Sequence, residues 1–230
     1  MNKIISVILP VWNGENYVGE AIESVLQQDY PHKEVIVVDD GSTDGTRKVI
    51  RHFGEAVIYL HQENKGLGAS RNTGVRASSG EYLAFLDHDD LWTPQKLSTQ
   101  MQRWQTVEEQ DPLIFSRVQQ FICDRLTDFE RQKLVVNEAI MPGYLAGSLL
   151  LSKKRFLEVG YFFEEKTVGE FLDWYLKALE QNVAVVMLDQ LGLLRRVHCS
   201  NMGRQHDLYR RGDYLKILKA SLNRRRALRE

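Results

Sequence analysis

Tyr82-Leu83-Ala84-Phe85-Leu86-Asp87-His88-Asp89-Asp90 runs five apolar residues straight into a group containing three carboxylates. An unbroken apolar run of this length reads as a strand buried on both faces. Ending it in several acids is costly, because ionised carboxylates repel one another and lose hydration when buried. A divalent cation resolves the conflict, since hard cations take carboxylate oxygens as ligands. The carboxyl ends of strands are also where α/β sheets bind ligands. Thr93 with Pro94 at a first helical position is a good helix start, but a cap needs only one acid or hydroxyl, and three acids precede it here. The pattern points to a metal and phosphate site.

Two upstream segments repeat the design. Residues 4–9 (Ile-Ile-Ser-Val-Ile-Leu) form a first apolar run, stopped by Pro10 and followed by Trp12-Asn13-Gly14. Residues 34–38 (Glu-Val-Ile-Val-Val) form a second, which ends in Asp39-Asp40-Gly41-Ser42-Thr43-Asp44. Helical patterns follow both: Ala21, Ile22, Val25 and Leu26 after the first, Val49, Ile50 and Phe53 after the second. Ser42 or Asp44 suits the cap of the second helix. Such βαβ alternation predicts a parallel sheet with right-handed crossovers. It also predicts that Trp12, Asp39, Asp40, Asp87 and Asp89 share one edge of that sheet.

Together these residues resemble the family 2 glycosyltransferases of the GT-A fold. The resemblance rests on Ser6-Val-Ile-Leu-Pro-Val-Trp-Asn13, Val37-Val-Asp-Asp-Gly-Ser-Thr-Asp44, Asn64-Lys-Gly-Leu-Gly-Ala-Ser-Arg-Asn-Thr-Gly74 and residues 80–90, and it covers roughly residues 4–97. Beyond residue 100 it continues in Gly169-Glu170-Phe171-Leu172-Asp173-Trp174 and Arg195-Arg196-Val197-His198. The resemblance implies a mostly parallel central sheet flanked by helices, and transfer of a sugar from a nucleotide donor, UDP- or dTDP-linked, to a hydroxyl acceptor, usually with inversion. It divides the chain into a GT-A domain over 1–203, with a nucleotide-binding half (1–97) and an acceptor-side half (98–203), and a basic helical tail (204–230).

The resemblance also implies roles. Pro10 and Trp12 meet the base, on which the indole can stack. Asp39 accepts a hydrogen bond from the base's imide, and Asp40 reaches the base or the ribose. Arg71 lies near the nucleotide or diphosphate, where its fork can pair a phosphate; bridging Asp39 or Asp87 is the structural alternative. Asp87 and Asp89 form the DxD, with Asp89 the metal ligand and Asp87 on the ribose or a metal-bound water. The metal is Mn²⁺ or Mg²⁺. Arg195 and His198 hold diphosphate and metal, and Gly147 with Ser148 meets the donor sugar or acceptor. The general base is expected within residues 169–176, where relatives carry a Glu-Asp pair. Here Phe171 replaces that Asp, leaving Asp173, ranked first, and Glu170. A non-catalytic sugar-nucleotide-binding module would tolerate that loss. A nucleotidyltransferase would want a Gly-rich, cationic loop after the first strand, which residues 10–13 lack.

Composition narrows the classes further. A chain of 230 residues, 43% apolar, can bury one large core. The formal net charge of −1 excludes an overall basic nucleic-acid binder. Cys123 and Cys199 form neither a disulfide framework nor a zinc pattern and suit a reducing compartment. No signal-peptide pattern or membrane-spanning run is evident, so a cytoplasmic protein is expected. Charge is unevenly spread: residues 204–230 carry +6 and the remainder −7. Leu208, Leu215, Leu218 and Leu222 recur in that tail at helical spacing. Two readings stand: a solvated helix packing its leucines on the domain, or a basic amphipathic helix in peripheral contact with an anionic membrane. Glycan, lipid-linked sugar and other hydroxyl acceptors all remain open.

Overall fold

The computed structural model describes residues 3–108, 110–123, 125–166, 168–199, 201 and 207–227, with the backbone alone for 207–211. Strands β1 (Ile5–Val11), β2 (Lys33–Asp39), β3 (Ile58–His61) and β4 (Tyr82–Phe85) form a parallel block in the order β3-β2-β1-β4. Helices α1 (Val18–Leu26), α2 (Thr46–Arg51) and α3 (Leu67–Ala77) connect them. The crossover alternation expected from the apolar runs is therefore present. The second half is mixed: β8 (Leu149–Ser152) pairs antiparallel with β4 and with β6 (Leu113–Ile122). Strand β9 (Val185–Val197) then runs parallel to β6, while short β5 (Leu91–Trp92) and β7 (Met141–Pro142) pair antiparallel with β9 and β6.

Side-chain alternation explains why the central strands are apolar throughout. Ile5, Val7, Leu9 and Val11 join Tyr82, Ala84 and Leu86 in a core under α1, α2 and α4 (Lys96–Thr106). Ile8, Leu83 and Phe85 point the other way, into a second core with Val75 of α3, Phe156 of α6 (Lys153–Val159) and Trp174 of α7 (Glu170–Glu180). The short helix α5 (Asp128–Arg131) is closed by a Thr127–Glu130 capping box.

Two local expectations fail for physical reasons. Pro10 does not stop the first strand but pairs with Val38 within β1. Val11 faces β2, accepting from the Asp40 amide, so the Pro10 nitrogen is turned toward β4, which has already ended at Phe85 opposite Ile8. The missing N–H is not needed there. Thr93-Pro94 does not open a helix either. Leu91–Trp92 pairs with β9, Thr93 Oγ1 donates to the Leu191 carbonyl, and α4 starts two residues after Pro94.

The tail forms helix α8 (Asp207–Ala227). Its leucine stripe does not pack on the domain: Leu215, Leu218 and Leu222 are exposed, and the Leu208 side chain lies outside the described residues. Ile217 and Ser221 are the buried positions. Among the described residues no helix is long and apolar enough to cross a membrane.

Lys96 is wholly buried in α4, 4.1 Å above the Trp92 ring centre, and donates to Gln100 Oε1 at 2.8 Å. Burial pushes its pKa well below the ordinary 10.5. The unfolded chain then binds more protons between the lowered value and 10.5, so folding stability rises with pH in that window, by at most ~1.4 kcal/mol per pH unit. Lys96→Met is expected to flatten this rise. Urea titrations at several alkaline pH values check it, and an identical pH slope in parent and variant would count against Lys96 as the source.

Candidate active site

The topology brings the expected residues to one edge. Parallel β1, β2 and β4 present their carboxyl ends together, carrying Trp12, Asp39-Asp40 and Asp87-Asp89. Antiparallel β8 begins at that edge, so residues 146–148 adjoin the end of β4. Strands β6 and β9 run with β4, which brings His198 to the same edge.

The acids there divide into different environments. Asp89 Oδ2 lies 3.1 Å from His198 Nε2 and accepts from the Asn201 amide at 3.1 Å. Burial works to raise the Asp89 carboxyl, but the His198 hydrogen bond and the nearby His88 outweigh it and hold the group at about 2. Asp90 is buried, accepts the Arg196 backbone amide at 2.9 Å, and is pushed well above its ordinary value by burial and by the Asp89 and Asp87 charges. It pins β9 rather than capping a helix. His198 packs against Tyr17, with ring centres 4.7 Å apart. The Tyr17 phenol is raised to about 12 by burial and by its hydrogen bond with Cys123.

Arg71 is 2% exposed and ties the site's two flanks. One terminal nitrogen donates to Asp87 Oδ1 at 2.6 Å, and the other is hydrogen-bonded to Glu170 Oε1. Its Nε is buried and has no hydrogen-bond partner among the described residues. Helix α3 reaches Glu170 because Gly68 lacks a side chain: a Cβ there would sit 2.1 Å from the Phe163 carbonyl oxygen. Of the alternatives for Arg71, the bridge to Asp87 is present, and Glu170 is a partner that no spacing or motif singles out.

Several expected contacts are already occupied by the protein. Asp39 is 1% exposed, accepting from the Ser42 amide at 2.9 Å and from Tyr59 Oη at 2.8 Å. Asp40 accepts from the Lys65 and Gly66 amides, both at 2.8 Å, and from Gln62 Nε2 at 2.7 Å, fixing the loop ahead of α3. Ser148 Oγ donates to the Gly143 and Leu145 carbonyls, and the Gly147 carbonyl accepts from Trp92 Nε1 at 2.7 Å. Trp12 is 51% exposed and stands free at the rim. Asp44 lies one residue ahead of the α2 N-cap, Gly45, which has no side-chain cap, and accepts from the Thr46 amide at 3.0 Å and the Glu15 amide at 3.1 Å.

Arg196 hydrogen-bonds to the turn that carries these acids, and the charge of Arg195 acts on Asp90. Arg196 donates to the Asp89 carbonyl at 2.9 Å and to Glu20 Oε2 at 2.5 Å. Strand alternation was the available signal, since residues two apart share a face and Arg196 lies two before His198. Glu20, in the first turn of α1, carried no signal of its own.

The acceptor side departs from expectation too. Phe171 stacks on Tyr175, which stacks on Tyr144, with Phe115 set edge-on to all three. Asp173 is turned toward α8, paired with Lys177 at 2.6 Å and Arg224 at 3.3 Å. Glu170 is the acid joined to the Asp87 side through Arg71.

Asp89 and His198 supply an oxygen and an imidazole nitrogen, of which the carboxylate suits Mn²⁺ or Mg²⁺ and the imidazole is a poorer match to the oxygen-preferring Mg²⁺. Among the described residues no three His, Cys, Asp or Glu converge on one metal position. The pair fits a cation that draws its remaining ligands from phosphate and water, as Mg²⁺ commonly does.

Removing Arg71 would leave Glu170 buried without its cation. Arg71→Met is expected to cost ~3–5 kcal/mol, with much of that recovered in Arg71→Met/Glu170→Met. Urea denaturation of the two variants checks it; an equal loss in both would mean that packing rather than charge holds the bridge.

Residues 6–144 match the family described as Glycosyl transferase family 2. A glycosyltransferase of Rickettsia felis is 33% identical over 213 residues, covering 87% of this chain and 35% of the relative. The glycosyltransferase GlyA of Streptococcus pneumoniae is 45% identical over 94 residues, 40% of this chain and 13% of its own length. The chain thus spans about a third or less of these relatives. Among solved structures, Staphylococcus aureus TarS 1–349 in complex with UDP-GlcNAc superposes with a TM-score of 0.71 at 18% identity, over 96% of this chain and 66% of that one. TarS 1–349 in complex with UDP gives 0.65 at 22%, over 84% and 60%. These likenesses agree with the observed fold, a curled central sheet flanked by helices. With a family match over more than half its length, the chain belongs to glycosyl transferase family 2.

Proposed function

We propose that this chain transfers a sugar from a UDP- or dTDP-linked donor to a hydroxyl acceptor, with inversion. The observation that carries the reading is the meeting of Asp89–His198 and Asp87–Arg71–Glu170 at one sheet edge, beside an exposed Trp12. UDP and UDP-GlcNAc bound to TarS, which shares the fold, support the donor class. Residues 1–97 would hold the nucleotide and residues 98–203 the acceptor. Trp12 would stack on the base, a contact of roughly 1–3 kcal/mol. The carbonyl edge at Pro10 and the Asp39–Asp40 turn would shape the base pocket through the backbone, since both carboxylates are engaged.

Asp89 and His198 would hold Mn²⁺ or Mg²⁺, with Asp87 beside them; when bound, the cation offsets charge developing on the departing diphosphate. Arg71 is enclosed, so we assign it to positioning Asp87 and Glu170 rather than to the phosphates. Inversion needs a base on the face opposite the leaving group. Glu170 takes precedence over Asp173 for that role because it adjoins Asp87 through Arg71, whereas Asp173 is held by Lys177 and Arg224. A sugar-nucleotide-binding module without transfer is the second reading, favoured by Phe171 in the position of the usual base. We place the protein in the cytoplasm, at the inner face of a membrane.

Metal and nucleotide should bind together. Calorimetry of UDP with Mn²⁺ is expected to lose on the order of 10–100-fold in affinity for Asp89→Ala or His198→Ala. Equal UDP affinity in EDTA would sink the metal assignment.

The base assignment has a separate test. Glu170→Gln is expected to lower transfer on the order of 10²–10⁴-fold while UDP binding holds, and Asp173→Asn to cost much less. Transfer from a nucleotide-sugar panel measures both. A parent that binds UDP-sugar but transfers nothing, with transfer appearing in Phe171→Asp, would establish the binding-module reading instead.

A further inference from the structure

Helix α8 has two chemically distinct faces. The inner face is fastened to α7. Arg224 donates to Glu180 Oε2 at 2.6 Å and to Asp173 Oδ1 at 3.3 Å, and Ser221 donates to Glu180 Oε1 at 2.5 Å. Ile217 and Tyr214 close over Gly169, the residue ahead of α7, whose φ is +95°. A Cβ on Gly169 would stand 2.6 Å from Ile217 Cδ1, so glycine suits both the backbone and the approach of α8. Burial of this face needs no further partner.

The outer face is unlike an ordinary solvated surface. Leu215, Leu218 and Leu222 are 67%, 46% and 57% exposed. At about 100° per residue the three fall within about 60° of one another, a single stripe. Lys219 and Arg226 lie on one flank of the stripe and Arg225 on the other, all exposed. Among the described side chains of α8 the acid is Asp213, which is turned away from the stripe and paired with Lys216 at 3.5 Å. Apolar residues framed by cations, with acid kept off the face, match the acyl boundary and headgroups of an anionic leaflet. A nucleic acid would take the cations but give the leucines nothing to bury against.

We propose that α8 is a bilayer-docking element: Leu215, Leu218 and Leu222 enter the headgroup boundary of an anionic membrane while Lys219, Arg225 and Arg226 bind its headgroups. Because α8 rides on α7, docking sets the Glu170 side of the domain against the leaflet. Resting on the sugar-transfer reading, this selects an acceptor hydroxyl carried on a lipid.

The test reads binding alone, so it is independent of whether sugar is transferred. The full chain is sedimented with vesicles of phosphatidylcholine, with and without phosphatidylglycerol, at low and high salt. The parent should pellet with the anionic vesicles at low salt and be released at high salt. Lys219→Gln, Arg225→Gln and Arg226→Gln should each weaken partitioning about fivefold, and Leu218→Ser on the order of tenfold. These positions are exposed, and unchanged thermal melting verifies that the variants fold. No pelleting by the parent, or equal pelleting with neutral vesicles, would overturn the proposal. So would light scattering that shows the leucine face pairing two copies of the chain in place of lipid.

Discussion

The site depends on one guanidinium. Arg71 joins Asp87, at the end of β4, to Glu170, at the start of α7, residues separated by most of a hundred positions of chain. A buried cation of this kind stabilises little in net terms, because desolvation offsets most of the attraction, but it is expensive to break. Its consequence is geometric. The turn carrying the DxD acids and the helix carrying the acceptor-side acid are held in one arrangement, with Asp87 still 38% exposed toward the cleft.

A second arginine supports the other flank in the same manner. Arg196 reaches the Asp89 carbonyl and Glu20, and its guanidinium lies over the Tyr17 and Phe121 rings. Its backbone amide is also the donor to Asp90. The turn 87–90 is therefore gripped from α3 on one side and from β9 on the other. This arrangement lets several acids sit close together: Asp89 is charged and paired with His198, while Asp90 is buried and driven toward its neutral form. Neighbouring carboxylates with opposite protonation tendencies do not repel as two anions would.

The acceptor side is built from different material. Where relatives of the resembled family carry an acid, Phe171 extends an aromatic layer with Tyr175, Tyr144 and Phe115. Rings in stacked and edge-on pairs of this kind form a rigid wall, and the exposed edge of Tyr144 ends it at the surface. Glu170, one residue before Phe171, is not part of this wall and is tied to Arg71. The same helix carries α8, fastened through Glu180 to Ser221 and Arg224.

What the sequence determined by itself was everything with a short repeat. Apolar runs such as residues 82–86 are buried on both faces whatever surrounds them, and strands alternating with helices leave their carboxyl ends on a common edge. Hence Trp12, Asp39, Asp87 and Asp89 share the carboxyl-end edge of the sheet by pattern alone. Which side chains were free to act was decided by tertiary structure alone. Asp39 and Asp40 accept from Tyr59, Ser42, Gln62 and the loop amides at 65 and 66, contacts set by loop closure rather than by spacing. Asp173 and Glu170 sit one helical turn apart and look alike in sequence, yet one meets Arg224 and the other Arg71. The leucines of α8 have helical spacing in either orientation, and only the docking of Ile217, Ser221 and Arg224 onto α7 turned them outward. Periodicity is a local property of the backbone, whereas hydrogen-bond partners far apart in the chain are chosen by how the elements pack.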